Sequence, residues 1–171
     1  MTATTPTSQL LSLLDPLLAR IAALAPEALT SAEQTHALEA TLEAEFPYAG
    51  PRVQAIGETL ARGVADGWLA NRGAPDSRFG RVAKASEATH GLSIDVVSMV
   101  GSAVEHTHPQ GEVTLGFPAR PTRDEKTCQF EGRDPAWVVM APGSRHIPTV
   151  VGERMNLIYF LPQGAVEWHL E

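Results

Sequence analysis

Cysteine is nearly absent from this chain, which has Cys128 and no second cysteine among its 171 residues. A single cysteine cannot form a disulfide within the chain, so the sequence gives no sign of an oxidising compartment. We therefore expect a cytoplasmic protein whose core is held together by packing alone. A chain of this length can bury enough apolar surface for that.

Positive charge is also scarce, since 13 Lys and Arg stand against 20 Asp and Glu, for a net charge of −7 at pH 7. The cations are scattered along the chain and form no basic stripe. A protein of this charge repels the phosphate backbone of nucleic acids. The composition therefore predicts no nucleic-acid partner.

Long hydrophobic runs are missing as well. The most apolar N-terminal segment, residues 10–24, is interrupted by Asp15, Pro16 and Arg20, and no basic segment precedes it. A signal peptide needs that basic segment, and a membrane-spanning helix needs about 20 mostly apolar residues. We expect a soluble protein without a membrane segment, because this run is too short and too broken.

The sequence changes character near residue 76. Before it, apolar residues recur at steps of three and four, which predicts about three amphipathic helices in residues 1–76. The Thr30-Ser31-Ala32-Glu33 stretch has the Ser/Thr-x-x-Glu form, in which hydroxyl and carboxylate cap a helix start, and it begins the second helix. Pro51 begins the third helix, and Arg72-Gly73 is expected to end it. After it, residues 77–171 contain short apolar or alternating stretches separated by turns, which predict an antiparallel barrel or sandwich. These stretches are 78–86, 92–100, 113–118, 127–131, 137–141, 146–151, 155–161 and 165–170.

Two segments of the strand-rich part contain side chains that bind metals. Strand alternation puts His106 and His108 on one face, about 6 to 7 Å apart, and a Pro-Gln-Gly turn can bring Glu112 beside them. A Pro-Gly turn precedes His146, which a closed barrel can place opposite the first cluster. Three imidazoles and a carboxylate suit one divalent ion, Zn, Mn, Fe, Co or Ni. A vestigial barrel that binds nothing is the alternative.

The same residues resemble the two sequence motifs of the cupin superfamily. The pattern is Gly-x4-His-x-His-x3-Glu, from Gly101 to Glu112, followed by Pro-Gly-x2-His, which ends at His146. The resemblance covers about the last 95 residues, from 77 onward. It implies an all-β cupin-type (jelly-roll) barrel, here preceded by an α-helical N-terminal region. The gap after Gly101 is one residue short and Gly116 follows Glu112 early, departures that concern turn geometry.

A narrower resemblance extends over most of the chain. The stretches His-x-His-Pro-x-Gly-Glu, Pro-Gly-Ser-x-His-x-Pro-Thr-Val and Tyr-Phe-Leu-Pro-Gln-Gly-Ala-Val-Glu-Trp are similar to the 4-hydroxylaminobenzoate lyase family of nitroarene-degrading bacteria. The resemblance implies a metal-dependent lyase that converts 4-hydroxylaminobenzoate and water to 3,4-dihydroxybenzoate (protocatechuate) and ammonia. Another cupin metalloenzyme, such as a dioxygenase or a small-acid lyase, and a non-enzymatic binding barrel remain the alternatives.

A small aromatic acid as substrate needs a cation for its carboxylate and a partner for its ring. Arginine has the best geometry for a carboxylate, so Arg145, beside His146, and Arg78, on the first strand, are the candidates. Trp137 can stack on the ring, and Tyr159 can exchange a proton if it is buried near the metal. Each of the four has a structural alternative, as a solvated arginine or a core aromatic residue. Because cupin barrels commonly pair, we also expect a homodimer.

Overall fold

The computed structural model describes residues 3–120 and 127–170. In this part of the chain, three helices come first: α1 (Pro6–Leu24), α2 (Ala32–Glu45) and α3 (Pro51–Asp66). Pro16 lies inside α1 without ending it. The cap of α2 lies one residue later than the Thr30–Glu33 pattern predicted. Ser31 accepts a hydrogen bond from the backbone N–H of Gln34 at 3.2 Å, and the Gln34 side chain accepts one from the backbone N–H of Thr30 at 2.7 Å.

The third helix ends earlier than the sequence suggested. Gly67 takes the left-handed backbone conformation, with φ of 82°, directly after Asp66, and so closes the helix. The expectation that Arg72-Gly73 ends it is therefore wrong. Arg72 instead begins a short strand, which the sequence analysis missed.

By length and composition alone, the helical segment 6–28 is long and apolar enough to cross a membrane, and its most apolar stretch has a mean hydropathy of 1.3. The expectation that this segment is too short and too broken is therefore wrong. Its apolar face is occupied, however, because Leu10, Leu14 and Leu17 have no exposed surface. A helix buried against the rest of a protein passes the same hydropathy test.

The strands described after the helices are β1 (Arg72–Ala74), β2 (Ser77–Ala83), β3 (Leu92–Ser102), β4 (His106–His108), β5 (Glu112–Pro118), β6 (Cys128–Phe130), β7 (Trp137–Met140), β8 (Ser144–His146), β9 (Thr149–Pro162) and β10 (Glu167–Trp168). The strands predicted over 146–151 and 155–161 differ from these. His146 ends β8, and the single long strand β9 includes everything from Thr149 to Pro162.

The strands form two antiparallel sheets. The larger has the order β1-β2-β3-β9-β5-β7, with β6 also paired to β9, and the smaller has the order β10-β4-β8. The strand-rich sandwich predicted for residues 77–171 is thus present. The predicted boundary at residue 76 falls between β1 and β2, so β1 belongs to the larger sheet although it precedes that boundary.

Along its central strands β3, β9, β5 and β7, the larger sheet is largely buried on both faces. Its outer face packs on the three helices, where Ile158 and Phe160 of β9 meet the leucines of α1 and α3. Its inner face, which includes Leu157 and Tyr159 of the same strand, lines the interior of the sandwich. Strand alternation therefore divides the chain into two cores that share one sheet, and the helices cover the barrel from outside.

Candidate metal centre

The four predicted ligands come from three strands, β4 and β8 of the smaller sheet and β5 of the larger sheet. His106 and His108 are the outer residues of β4, and both are buried, whereas Thr107 between them points the other way. His106 is directly opposite His146 in the antiparallel pair of β4 and β8, so their side chains share a face. Gly111, with φ of 84°, makes the turn after β4 that brings Glu112, the first residue of β5, back beside them.

The side chains converge on one point. The Nε2 atoms of His106, His108 and His146 lie 2.8, 3.1 and 3.2 Å from one another. The Oε2 atom of Glu112 lies 3.8 Å from the Nε2 of His146 and contacts the Nε2 of His108. All four ligand atoms lie within 4.8 Å of one another, close enough for a single cation to be approached by all of them. The structure thus brings together the four residues that the sequence singled out.

The chemistry of the cluster suits a cation. The Nδ1 atom of His106 lies 2.9 Å from the carbonyl oxygen of Val104, so Nδ1 donates the proton and Nε2 keeps a lone pair facing inward. Glu112 is completely buried, and its Oε2 accepts no hydrogen bond within the described residues. Burial raises the pKa of Glu112, but contacts with His108, His146 and Thr114 together lower it by more. The pKa of Glu112 is therefore below its usual value, and the carboxyl is ionised. A buried carboxylate facing imidazole lone pairs fits a divalent metal ion.

A further set of contacts holds the ligands in place. The hydroxyl of Thr114 donates to Oε1 of Glu112. Oε2 of Glu131 lies 3.3 Å from Nδ1 of His146, while Oε1 of Glu131 accepts from the backbone N–H of Thr149 at 2.9 Å. Carboxylates that hold the second nitrogen of a ligating histidine are typical of metal sites. The sequence analysis missed Glu131, which follows β6 and reaches the site only through the pairing of β6 with β9.

The environments shift the pKa values of two ligands in opposite directions. Burial lowers the pKa of His106. Burial acts in the same direction on His146, but the hydrogen bond and charge of Glu131 and the charge of Glu112 outweigh it and raise the pKa of His146. Without a metal, His146 is therefore the first of these two imidazoles to gain a proton as the pH falls.

Comparison with known proteins agrees with the motifs. The family model described as 4-hydroxylaminobenzoate lyase matches residues 20–168. The chain belongs to the 4-hydroxylaminobenzoate lyase family. It is 28% identical over 135 residues to the 4-hydroxylaminobenzoate lyase of Pseudomonas putida, covering 69% of this chain and 74% of the relative. It is 30% identical over 125 residues to the enzyme of the same name from Nocardioides sp. (strain LMS-CY), covering 63% and 67%.

Solved structures of cupins align with part of the chain. An RmlC-like cupin from Ralstonia eutropha aligns with a TM-score of 0.37 and 15% identity, covering 56% of this chain and 68% of that one. A cupin-like protein from Thermotoga maritima aligns with a TM-score of 0.29 and 14% identity, covering 59% and 85%. The predicted strand-rich fold with a helical N-terminal region is confirmed by the three helices and the two antiparallel sheets that follow them.

In this member of the lyase family, a cavity of about 660 Å³ between the two sheets reaches the cluster at His106 and His108. Its walls are mostly apolar. Tyr159 lines this cavity together with His106 and His108, which is the position expected of a tyrosine that can exchange a proton near the metal. No hydrogen bond to its hydroxyl is found within the described part of the chain. Burial and the nearby negative charge of Glu112 raise the pKa of Tyr159 well above its usual value, so the phenol stays neutral.

The other predicted substrate contacts lie elsewhere. Arg145 points away from His146 and pairs with Glu105 at 2.8 Å on the protein surface. Arg78 is on the outer face of β2, in a separate surface groove beside Arg154. Trp137 is buried under the helices, where its Nε1–H donates to the carbonyl oxygen of Phe46 at 2.9 Å. These positions correct the expectation that the three residues touch a substrate, because none of them lines the cavity.

Proposed function

We propose that this chain is a metal-dependent lyase that converts 4-hydroxylaminobenzoate and water into 3,4-dihydroxybenzoate and ammonia. The observation that carries the proposal is the convergence of His106, His108, Glu112 and His146 at the wall of a largely apolar cavity. Membership of the family supports the substrate and the reaction. The conversion is redox-neutral. The N–O bond breaks and the hydroxyl leaves as water, while oxygen from another water joins the ring carbon adjacent to the one that bears the nitrogen. Hydrolysis of the resulting ring imine releases ammonia, and a proton shift restores the aromatic ring.

The four residues are those that would hold the metal. A divalent ion bound there supplies a Lewis acid for the hydroxylamine oxygen or for water. The protein keeps the ligands oriented through Val104, Thr114 and Glu131, so that little reorganisation is needed when substrate arrives. Which divalent ion the site takes depends on supply as well as on these ligands.

Tyr159 is our candidate catalytic residue. Its neutral phenol faces the cavity that contains the histidines, so it can donate a proton to the hydroxyl oxygen as the N–O bond breaks. A proton delivered there turns hydroxide into water, a better leaving group. The apolar walls keep solvent away from the substrate ring and its reactive imine.

The test combines metal analysis with an ammonium-release assay on 4-hydroxylaminobenzoate. The protein purified without added metal should contain about one divalent ion, and His108→Ala and His146→Ala should each lose both metal and turnover. His169→Ala is the matched control, because His169 contacts Thr107 on the far side of β4 and should leave both unchanged. Full activity in a metal-free variant would contradict the metal's role.

Other outcomes would favour the alternatives. Oxygen consumption with a catechol, without ammonium release from the hydroxylamine, would make the chain a cupin dioxygenase. Bound metal with no turnover of either compound would favour a binding barrel. The lyase and both alternatives use the same ligands and cavity, so only the products, or the lack of any product, distinguish them.

We also propose that the protein is a cytoplasmic homodimer that contacts neither membrane nor nucleic acid. Small oligomers are usually symmetric dimers, and the apolar side chains of Val151 and Ile147, four residues apart in the sequence, leave 60% and 48% of their surface exposed. The acidic net charge of −7 supports the absence of nucleic acid. Light scattering on the purified protein tests the dimer, and a monomeric mass would contradict it.

A further inference from the structure

One row of polar side chains crosses the inner face of the larger sheet. Arg81 of β2 is directly opposite Asp95 of β3, Asp95 is opposite Tyr159 of β9, and Tyr159 is opposite Thr114 of β5. Residues opposite one another in antiparallel strands point to the same face. Arg81, Asp95 and Tyr159 accordingly all line the cavity. Thr114 ends the row at the metal centre, because it donates to Glu112.

The row beside it is apolar. Phe79 is opposite Val97, and Val97 is opposite Leu157, so the neighbouring positions on β2, β3 and β9 present no polar group to the cavity. The polar row therefore runs beside an apolar wall, from the edge strand β2 towards the histidines. An aromatic ring with polar groups at its two ends matches that pattern.

Asp95 fixes the orientation of the Arg81 guanidinium at the outer end of the row. Its Nε and Nη2 atoms bind the two carboxylate oxygens of Asp95 at 2.9 and 3.3 Å, and Asp95 also accepts from the hydroxyl of Ser93 at 3.2 Å. The Nη1 group of Arg81 makes no hydrogen bond within the described part of the chain. The pair with Asp95 fixes the guanidinium in one orientation and leaves that edge available for an anion.

The charge at this end of the cavity is positive. Asp95 neutralises Arg81, and Arg72, which also lines the cavity, forms no ion pair with any residue that the structure describes. The strands of Arg81 and Tyr159 are two apart in the sheet, or about 10 Å, and the long arginine side chain shortens that distance. A benzoate can therefore lie along the row, with its carboxylate at the arginine end and its nitrogen towards Tyr159 and the histidines.

We infer that Arg81, oriented by Asp95, binds the carboxylate of the aromatic acid and so makes the cavity selective for acids over neutral rings. This inference rests on the proposed function, since it assigns one end of the substrate of that reaction. It replaces Arg78 and Arg145, which lie outside the cavity. Arg81 is a substrate-binding residue, and Asp95 is a positioning residue that acts through it.

The test compares the binding of 4-hydroxybenzoate and phenol, which differ only in the carboxylate. Isothermal titration of the metal-containing protein gives the ratio of the two affinities. The wild type should prefer the acid by about 10- to 100-fold, the usual effect of a charge-assisted hydrogen bond on binding. Arg81→Gln should bring the ratio close to one, whereas Arg78→Gln, on the outer face of the same strand, should keep it.

Two further variants separate recognition from a structural role. Asp95→Asn removes the ion pair but not the guanidinium, so it should keep most of the preference for the acid. Arg81→Lys keeps the charge without the planar fork and should keep part of it. Thermal unfolding by circular dichroism confirms that each variant is folded. If Arg81→Gln fails to fold, Arg81→Lys and Asp95→Asn decide the question.

Several results would overturn the inference. These are a wild type without preference for the acid, an Arg81→Gln variant with the wild-type ratio, and an Arg78→Gln variant that loses as much. The ammonium-release assay decides the proposed function separately. A protein that prefers the acid but releases no ammonium would retain this site and lose the proposed reaction.

Discussion

The contact between Glu131 and His146 allows a sharp prediction about metal affinity. Glu131→Gln keeps the size of the side chain but replaces one carboxylate oxygen with an amide donor. If that amide faces Nδ1 of His146, it favours the tautomer whose Nε2 carries the proton and cannot bind metal. If the amide faces the backbone N–H of Thr149 instead, two donors meet and that hydrogen bond is lost. Either orientation weakens the site.

The expected loss follows from the geometry. Removing a carboxylate that supports a ligating histidine typically lowers metal affinity by 10- to 100-fold. The contact is 3.3 Å long and the Glu131 side chain is 19% exposed, so it is weaker than a short buried charge-assisted hydrogen bond. We therefore expect the lower end, a loss of about tenfold, or about 1.4 kcal/mol.

Competition with a chromophoric chelator measures this loss without relying on activity. The matched control is Glu105→Gln, which removes a carboxylate next in sequence to His106 that points outward to Arg145. The control should bind metal as the wild type does. The reasoning is refuted if Glu131→Gln stays within twofold of the wild type, or if Glu105→Gln loses as much.

Three further predictions concern catalysis, pH and folding. Tyr159→Phe should bind metal normally but turn over about 100-fold more slowly, measured as kcat for ammonium release, since it removes the proton donor; an unchanged kcat would eliminate that role. Metal affinity should fall as the pH drops from 8 to 5, and the fall should begin above the ordinary pKa of histidine, because Glu131 and Glu112 raise the pKa of His146 despite burial and a protonated imidazole cannot bind metal; chelator competition over that range measures it, and a flat profile would contradict it. Leu17→Ala in α1 should cost about 2 to 5 kcal/mol of unfolding free energy, with helices and strands lost in one urea transition because they share a core; two separate transitions would show independent halves.

The metal centre was predictable because its geometry is local. Alternation on one strand places His106 and His108 together, and the Gly111 turn is short enough to return Glu112 to the same place. The position of His146 depends on long-range structure, because strand pairing across 40 positions puts it opposite His106. The Pro-Gly turn before His146 nevertheless indicated the start of a strand. Glu131 has no such signal. Its approach to His146 depends on the register of β6 against β9, which no nearby residue reveals.

Burial on two faces explains why Trp137 was misassigned. A strand that is covered on one side by helices and on the other by a second sheet is apolar throughout, so its sequence does not say which side chains face the cavity. On β7, Trp137 and Val139 pack on the helices, while Val138 between them faces the interior. Only the positions of the helices, which cover the outer face, decide the direction.

The arginines show the same limit on an edge strand. Arg78 and Arg81 are three residues apart on β2, so alternation must put them on opposite faces, and one of them has to face the cavity. The sequence of β2 does not favour either, because its residues are all partly or fully exposed and no apolar stripe marks an inner face. The register with β3 decides: Arg81 is opposite Asp95, whose own strand places it in the polar row that ends at Glu112. The inferred recognition of a carboxylate by Arg81 therefore depends on strand pairing, whereas the candidate metal ligands can be identified from the motifs alone.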